Sequence, residues 1–120
     1  MMFSGIDLVK IARIEKAMQN PRFLEKYFGK NELKEFEKKN FKAESVAAAF
    51  AAKEAFSKVV KSGLSAFLLC EVELLHENSG APYLLLSGKA KELAKELLFT
   101  VSITHTKELA QAIVIGYTKE

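Results

Sequence analysis

Between Phe50 and Lys58 the chain reads Phe-Ala-Ala-Lys-Glu-Ala-Phe-Ser-Lys, three charged residues set among alanines and aromatics. Alanine is the strongest helix former, and its small side chain lets a helix approach its neighbours closely. The pattern predicts one long helix from Ala43 to about Lys61, ended by Ser62-Gly63, where glycine favours a helix stop. Its wheel is apolar over most of its circumference, so the helix belongs in the centre of a fold. Charges on such a helix cost several kcal/mol unless they are paired, hydrogen-bonded or bound to a metal. Lys53, Glu54 and Lys58 therefore lie at the edge of the buried face or serve chemistry.

The segments around this helix are short. Phe3 to Val9 predicts a strand that sends Ile6 and Leu8 to one face and Gly5, Asp7 and Val9 to the other. A basic amphipathic segment follows through Met18 and is broken by Asn20-Pro21. Helical pieces are expected from Arg22 to about Phe28 and from Asn31 to about Lys39, with Asn31 as the N-cap. Beyond the long helix, Phe67 to Leu75 reads as a strand, Ser79 to Pro82 as a turn and Tyr83 to Leu86 as its partner strand. Ser87 to Leu97 reads as an amphipathic helix with Ser87 as its cap. Phe99 to His105 and Leu109 to Tyr117 are strands, and the short link between them requires an antiparallel hairpin. The fold class is α+β, a small antiparallel sheet packed around one long central helix, with residues 1–120 as a single domain.

Composition narrows the function. The single cysteine, Cys70, rules out an internal disulfide and a cysteine-rich zinc site, and its apolar neighbours predict a buried, inert thiol. The first residues lack the basic and apolar regions of a signal peptide, and no apolar run approaches the ~18 residues of a membrane span. The expected setting is the cytoplasm. Residues 10 to 39 hold nine Lys or Arg against five Glu, an excess of four positive charges in a chain whose net charge is +3. That reads as a solvated helical face or as a surface that steers an acidic partner. Nucleic acid is a poor fit, because no basic run is interleaved with aromatics and there is no tryptophan.

Three places could carry chemistry. Asp7 interrupts an apolar strand, as a capping residue or as a ligand for a hard divalent cation. Glu54 stands four residues before Lys58, the spacing of a surface pair, whereas Lys53 falls between Val60 and Val46 on the wheel, poor surroundings for a solvated ammonium. His105 ends a strand beside Thr106, in a structural or a catalytic role. His76 shows no reason for a role. Neither a phosphate-binding G-x-x-x-x-G-K-[ST] loop nor a G-x-S-x-G elbow is present.

Taken in order, Gly5-Ile6-Asp7-Leu8-Val9 with Ile11-Ala12-Arg13-Ile14, then Phe50 to Lys58, then Ser102-Ile103-Thr104-His105-Thr106 resembles the holo-acyl-carrier-protein synthases, the small bacterial 4′-phosphopantetheinyl transferases. Arg22-Phe23 with Glu32 downstream, and Asn78 to Tyr83, extend the resemblance over essentially the whole chain. The resemblance implies transfer of 4′-phosphopantetheine from coenzyme A to a serine of apo-acyl carrier protein, in support of fatty acid biosynthesis. It implies a divalent cation, usually Mg²⁺, held by Asp7 and Glu54, and a homotrimer with sites between neighbouring subunits. Lys53 becomes a contact to the phosphates or the leaving group. Lys58, Gly63, His105 and Thr106 fall at coenzyme A-binding positions. Arg13, Lys16, Arg22, Phe23 and Lys26 fall where the acidic helix of the carrier protein docks. The base for the serine is a metal-bound water or a carboxylate of the site. Ala49 departs from the family, which often has arginine there; Lys26 and Gly29 replace a more usual arginine and threonine. A coenzyme A-binding module that has lost transfer is the alternative reading.

Overall fold

In the computed structural model, which describes residues 1–60 and 66–119, the chain runs β1 (Met2–Lys10), α1 (Ile11–Ala17), α2 (Pro21–Tyr27), α3 (Lys30–Lys38), α4 (Ala43–Val60), β2 (Val72–His76), β3 (Pro82–Leu86), α5 (Gly88–Leu93), β4 (Leu97–His105) and β5 (Leu109–Thr118). The strands form an antiparallel three-stranded sheet in the order β1-β5-β4 and a separate β2-β3 hairpin. This is the expected α+β architecture. Helix α4 lies on the inner face of the larger sheet, and its alanines Ala47 to Ala52 are almost wholly buried. The stop expected at Ser62-Gly63 lies outside the described residues.

Glycine at position 5 sets how closely β1 approaches α4. A Cβ there would lie 2.0 Å from the Ala55 carbonyl oxygen and 3.0 Å from the Lys58 Cβ. The strand therefore rests directly on the helix backbone, and the residues either side of Gly5 inherit that closeness. Alternation then puts Gly5, Asp7 and Val9 toward α4, as expected. The register carries the same face across the sheet, pairing Asp7 with Ala112 and Ala112 with Ile103. Among the described residues, the opposite face is largely open. Met2, Ile6 and Leu8 are 68%, 51% and 56% exposed there, with Leu98 and Tyr117 beside them.

Helix boundaries follow local chemistry in most places. Asn20 and Pro21 both end one segment and begin the next, since the Asn20 side chain accepts a hydrogen bond from the Arg22 N–H and Pro21 fills the first helical position. Four expectations need correction. Helix α3 is capped at Gly29, not Asn31. The Glu32 carboxylate takes the Gly29 N–H at 3.0 Å, while Glu73, from β2, takes the N–H groups of Asn31 and Glu32 at 2.8 and 2.9 Å. The strand expected from Phe67 begins only at Val72, because Glu71 closes a 3-10 turn over Leu69–Glu71 by accepting from the Leu68 N–H. Cys70, in that turn, is half-buried rather than buried. Helix α5 stops at Leu93, since Leu97 is taken into β4 opposite Thr118. Ser87 occupies its cap position without a side-chain bond.

The β4-β5 hairpin is held by its own threonine. The Thr106 hydroxyl accepts from the Glu108 and Leu109 N–H groups at 3.2 and 3.1 Å, and the Glu108 carbonyl accepts from the Ile11 N–H at 2.9 Å. The start of α1 is thus tied to the hairpin turn. No helix among the described residues is long and apolar enough to cross a membrane.

Candidate active site

The contact at Gly5 brings Asp7, two residues along β1, against Glu54 on α4. Glu54 carries its carboxyl above the usual carboxylate range, first because it is partly buried, then because the Asp7 charge and side chain face it; Arg13 and Lys58 act in the opposite direction. Lys58 donates to the Ile6 carbonyl at 2.6 Å and stands 3.4 Å from Asp7 Oδ1. The Glu54–Lys58 surface pair that the spacing suggests is therefore drawn toward β1 instead. The arrangement is two adjacent carboxylates flanked by two cations, at a surface that solvent reaches.

Two facing carboxylates fit a hard divalent cation, which prefers oxygen ligands and keeps the rest of its shell for water or phosphate oxygens. Among the described residues no cluster of three or more His, Cys, Asp or Glu could hold a metal. Asp7 and Glu54 would thus be a partial shell, completed by water or phosphate oxygens.

Lys53 is not part of this site, and its assignment as a phosphate contact is corrected. Its side chain is 0% exposed. The ammonium donates to Glu32 Oε1 at 2.6 Å and to the Val72 carbonyl, with the Phe28 ring centroid 5.0 Å away. Burial lowers the Lys53 pKa and raises that of Glu32, and their mutual attraction opposes both shifts. Its apolar setting thus has a structural cause, a buried ion pair. The sequence contains the partner at Glu32, but nothing local marks it as one. Glu73 was likewise missed; its placement inside the apolar run Val72 to Leu75 was the available signal. His76, which showed no role, bonds Glu35 through Nδ1 at 2.9 Å.

His105 and Thr106 are not brought to the carboxylates within one chain. His105 pairs with Ala110, which pairs with Val9, so β5 separates it from β1. Its ring is exposed, and the Thr106 hydroxyl is engaged in the hairpin turn. Gly63 lies outside the described residues. Ala49 is 1% exposed and faces Glu35 and His76, on a different side of α4 from Glu54.

The basic positions do converge. Lys16, Arg22, Phe23, Lys26 and Tyr27 line a concavity of about 530 Å³ between α1 and α2. Phe23 and Tyr27 form its apolar part, edge to face at 5.4 Å, and both rings lean on Phe50 of α4. Arg13, one turn before Lys16 on α1, is close enough to Glu54 to act on its charge. A larger concavity of about 620 Å³, bordered by Lys10, Glu15, Glu44 and Lys107, contains none of these residues.

Residues 4–114 match the family model described as the 4′-phosphopantetheinyl transferase superfamily. The chain is 38% identical to the holo-[acyl-carrier-protein] synthase of Thermoanaerobacter sp. (strain X514), over 98% of this chain and 90% of that one. Among solved structures it is similar to the Helicobacter pylori holo-[acyl-carrier-protein] synthase in complex with coenzyme A, with a TM-score of 0.82 and 30% identity over 95% and 99% of the two chains. It is also similar to the Plasmodium yoelii acyl carrier protein synthase with ADP bound, with a TM-score of 0.88 and 30% identity over 98% and 96%.

Proposed function

The chain belongs to the 4′-phosphopantetheinyl transferase superfamily, and we propose that it acts there as a holo-[acyl-carrier-protein] synthase, with residues 1–120 as one transferase domain. The observation that carries this reading is the meeting of Asp7 and Glu54 beneath the close contact at Gly5. In the reaction, a serine hydroxyl oxygen of apo-acyl carrier protein attacks the pantetheine-side phosphorus of coenzyme A. The bond to the bridging oxygen breaks, adenosine 3′,5′-bisphosphate leaves with the electron pair, and the serine proton passes to a carboxylate or water at the site. Because the chain must stabilise negative charge on the pyrophosphate, most of its work is electrostatic positioning.

Asp7 and Glu54 would hold Mg²⁺, which when bound supplies charge neutralisation at the pyrophosphate. Lys58 fixes Asp7 through its bonds to the β1 backbone and side chain, and adds positive charge at the mouth of the site. Arg13 adds more on the α1 side. The concavity of Lys16, Arg22, Phe23 and Lys26 suits an acidic helix that presents one apolar side chain, which is how the carrier protein would dock. Substituting Arg22→Glu should weaken carrier binding about tenfold while leaving coenzyme A affinity unchanged. Calorimetric titration with each ligand checks this, and equal losses for both would misplace the docking face.

A homotrimer explains two features that a lone chain does not. The outer sheet face carries Met2, Ile6, Leu8, Leu98 and Tyr117 in the open, more apolar surface than a solvated sheet usually shows. His105 ends β4, an edge strand, and Thr106 follows it in the hairpin turn, both away from the carboxylates of their own chain. Association through the sheet face would let a neighbour's His105 and Thr106 approach the coenzyme A bound at Asp7 and Glu54. Ile6→Glu should break the assembly to single chains in sedimentation velocity and cut transfer with it; an unchanged sedimentation coefficient would remove this face from the interface. The reading places the protein in the cytoplasm, in fatty acid biosynthesis.

A further inference from the structure

Lys53 and Glu54 are consecutive on α4, so their side chains leave the helix about 100° apart. Glu54 faces β1. Lys53 faces the joint where α2 ends and α3 begins. There Glu32 accepts from Lys53 Nζ at 2.6 Å, from the Gly29 N–H at 3.0 Å and from the Leu74 N–H at 2.9 Å. One carboxylate thus binds α3, α4 and β2 at once. Glu73 completes the joint by taking the next two N–H groups of α3, and it occupies the space that a Cβ on Gly29 would need, 2.3 Å from Glu73 Oε2. The Phe28 ring lies over the ammonium and touches Phe23, edge to face, at 5.7 Å. The apolar part of the docking concavity is therefore seated on the joint that Lys53 holds.

Stability alone does not account for ions at this place. Well-packed apolar residues of similar volume usually match or exceed a fully buried ion pair, whose desolvation offsets most of its attraction. What the pair adds is direction: two charges and four bonds admit one relative placement of α3, α4 and β2, where apolar contacts admit several. We propose that the Glu32–Lys53 pair is a positioning device for transfer, fixing the docked carrier's serine at the working distance from Asp7 and Glu54. This rests on the docking reading of the Arg22–Phe23 concavity.

The test replaces the pair as a unit with Glu32→Gln and Lys53→Met, which leaves neither member as a lone charge, while Glu73 keeps its bonds to Asn31 and to the N–H of residue 32. The expected result is a folded protein that binds coenzyme A with the parent's stoichiometry and an affinity within about twofold, yet transfers with a kcat per coenzyme A-binding site at least about tenfold lower, because sub-ångström misplacement of reacting groups costs rates on that scale. An unchanged kcat overturns the proposal. So does a loss of transfer that only tracks a loss of coenzyme A-binding sites, which would mark a purely structural pair. If the double variant does not fold, Glu32→Asp keeps both charges but shortens the reach of the carboxylate, and parental kcat in that variant overturns the proposal equally. Arg22→Glu, measured in parallel, separates the two readings. If it leaves carrier affinity unchanged, the docking surface is wrong; if it weakens carrier binding while the double variant transfers normally, positioning by this pair alone is wrong.

Discussion

Glu54→Gln should lower phosphopantetheine transfer on the order of a thousandfold or more, with the fold intact. The amide keeps the size and shape of the side chain and loses the charge that faces Asp7. Glu54 is partly exposed and its carboxyl is already raised by burial and by Asp7, so neutralising it relieves repulsion within the fold. Stability should hold or rise slightly, which makes an activity loss in this variant informative. Mass spectrometry of apo-acyl carrier protein incubated with coenzyme A and Mg²⁺ reads the result directly, as gain or absence of one phosphopantetheine group. Full transfer by Glu54→Gln would end the assignment of the site. Absence of transfer by the unaltered protein would instead favour a coenzyme A-binding module that lacks catalysis.

Gly5→Ala should be among the most damaging small substitutions at the described glycines. The added methyl would meet the Ala55 carbonyl oxygen at 2.0 Å, and a backbone atom in the middle of α4 cannot turn aside. Either β1 lifts from α4 or the helix bends, and overpacking of this kind costs about 3 kcal/mol, the upper end of the usual range. The displacement would also part Asp7 from Glu54, so transfer should fall in whatever fraction remains folded. Thermal unfolding followed by circular dichroism tests the first effect. A melting temperature equal to the parent's would show that β1 does not rest on α4 as described.

The parts of the fold that were legible in the sequence are those governed by neighbours along the chain. Period-2 alternation placed Gly5, Asp7 and Val9 on one face of β1, and Asn20-Pro21 marked a helix boundary that the Asn20 side chain does form. The illegible parts depend on residues far away in sequence. Asn31 is a reasonable cap on local grounds, but Glu73 supplies two bonds to that helix end from β2 and shifts the boundary to Gly29. A helical wheel shows what surrounds Lys53 within α4; it cannot show Glu32 arriving from α3. Motif order likewise assigned His105 to coenzyme A and Asp7 to the metal without their separation, and β5 runs between their strands. Order in the chain carries the chemistry of a site without its distances.

β1 is read from two sides by different neighbours. Odd-numbered positions answer to α4: Gly5 by its lack of a side chain, Asp7 by its charge, Val9 by its fit in the core. Even-numbered positions, Ser4, Ile6 and Leu8, answer only to whatever covers the open sheet. A single ribbon of nine residues thus holds two independent instructions, interleaved one residue at a time. A designer could rewrite the even positions to alter what the open face presents, leaving the odd positions, and with them the meeting of Asp7 with Glu54, untouched.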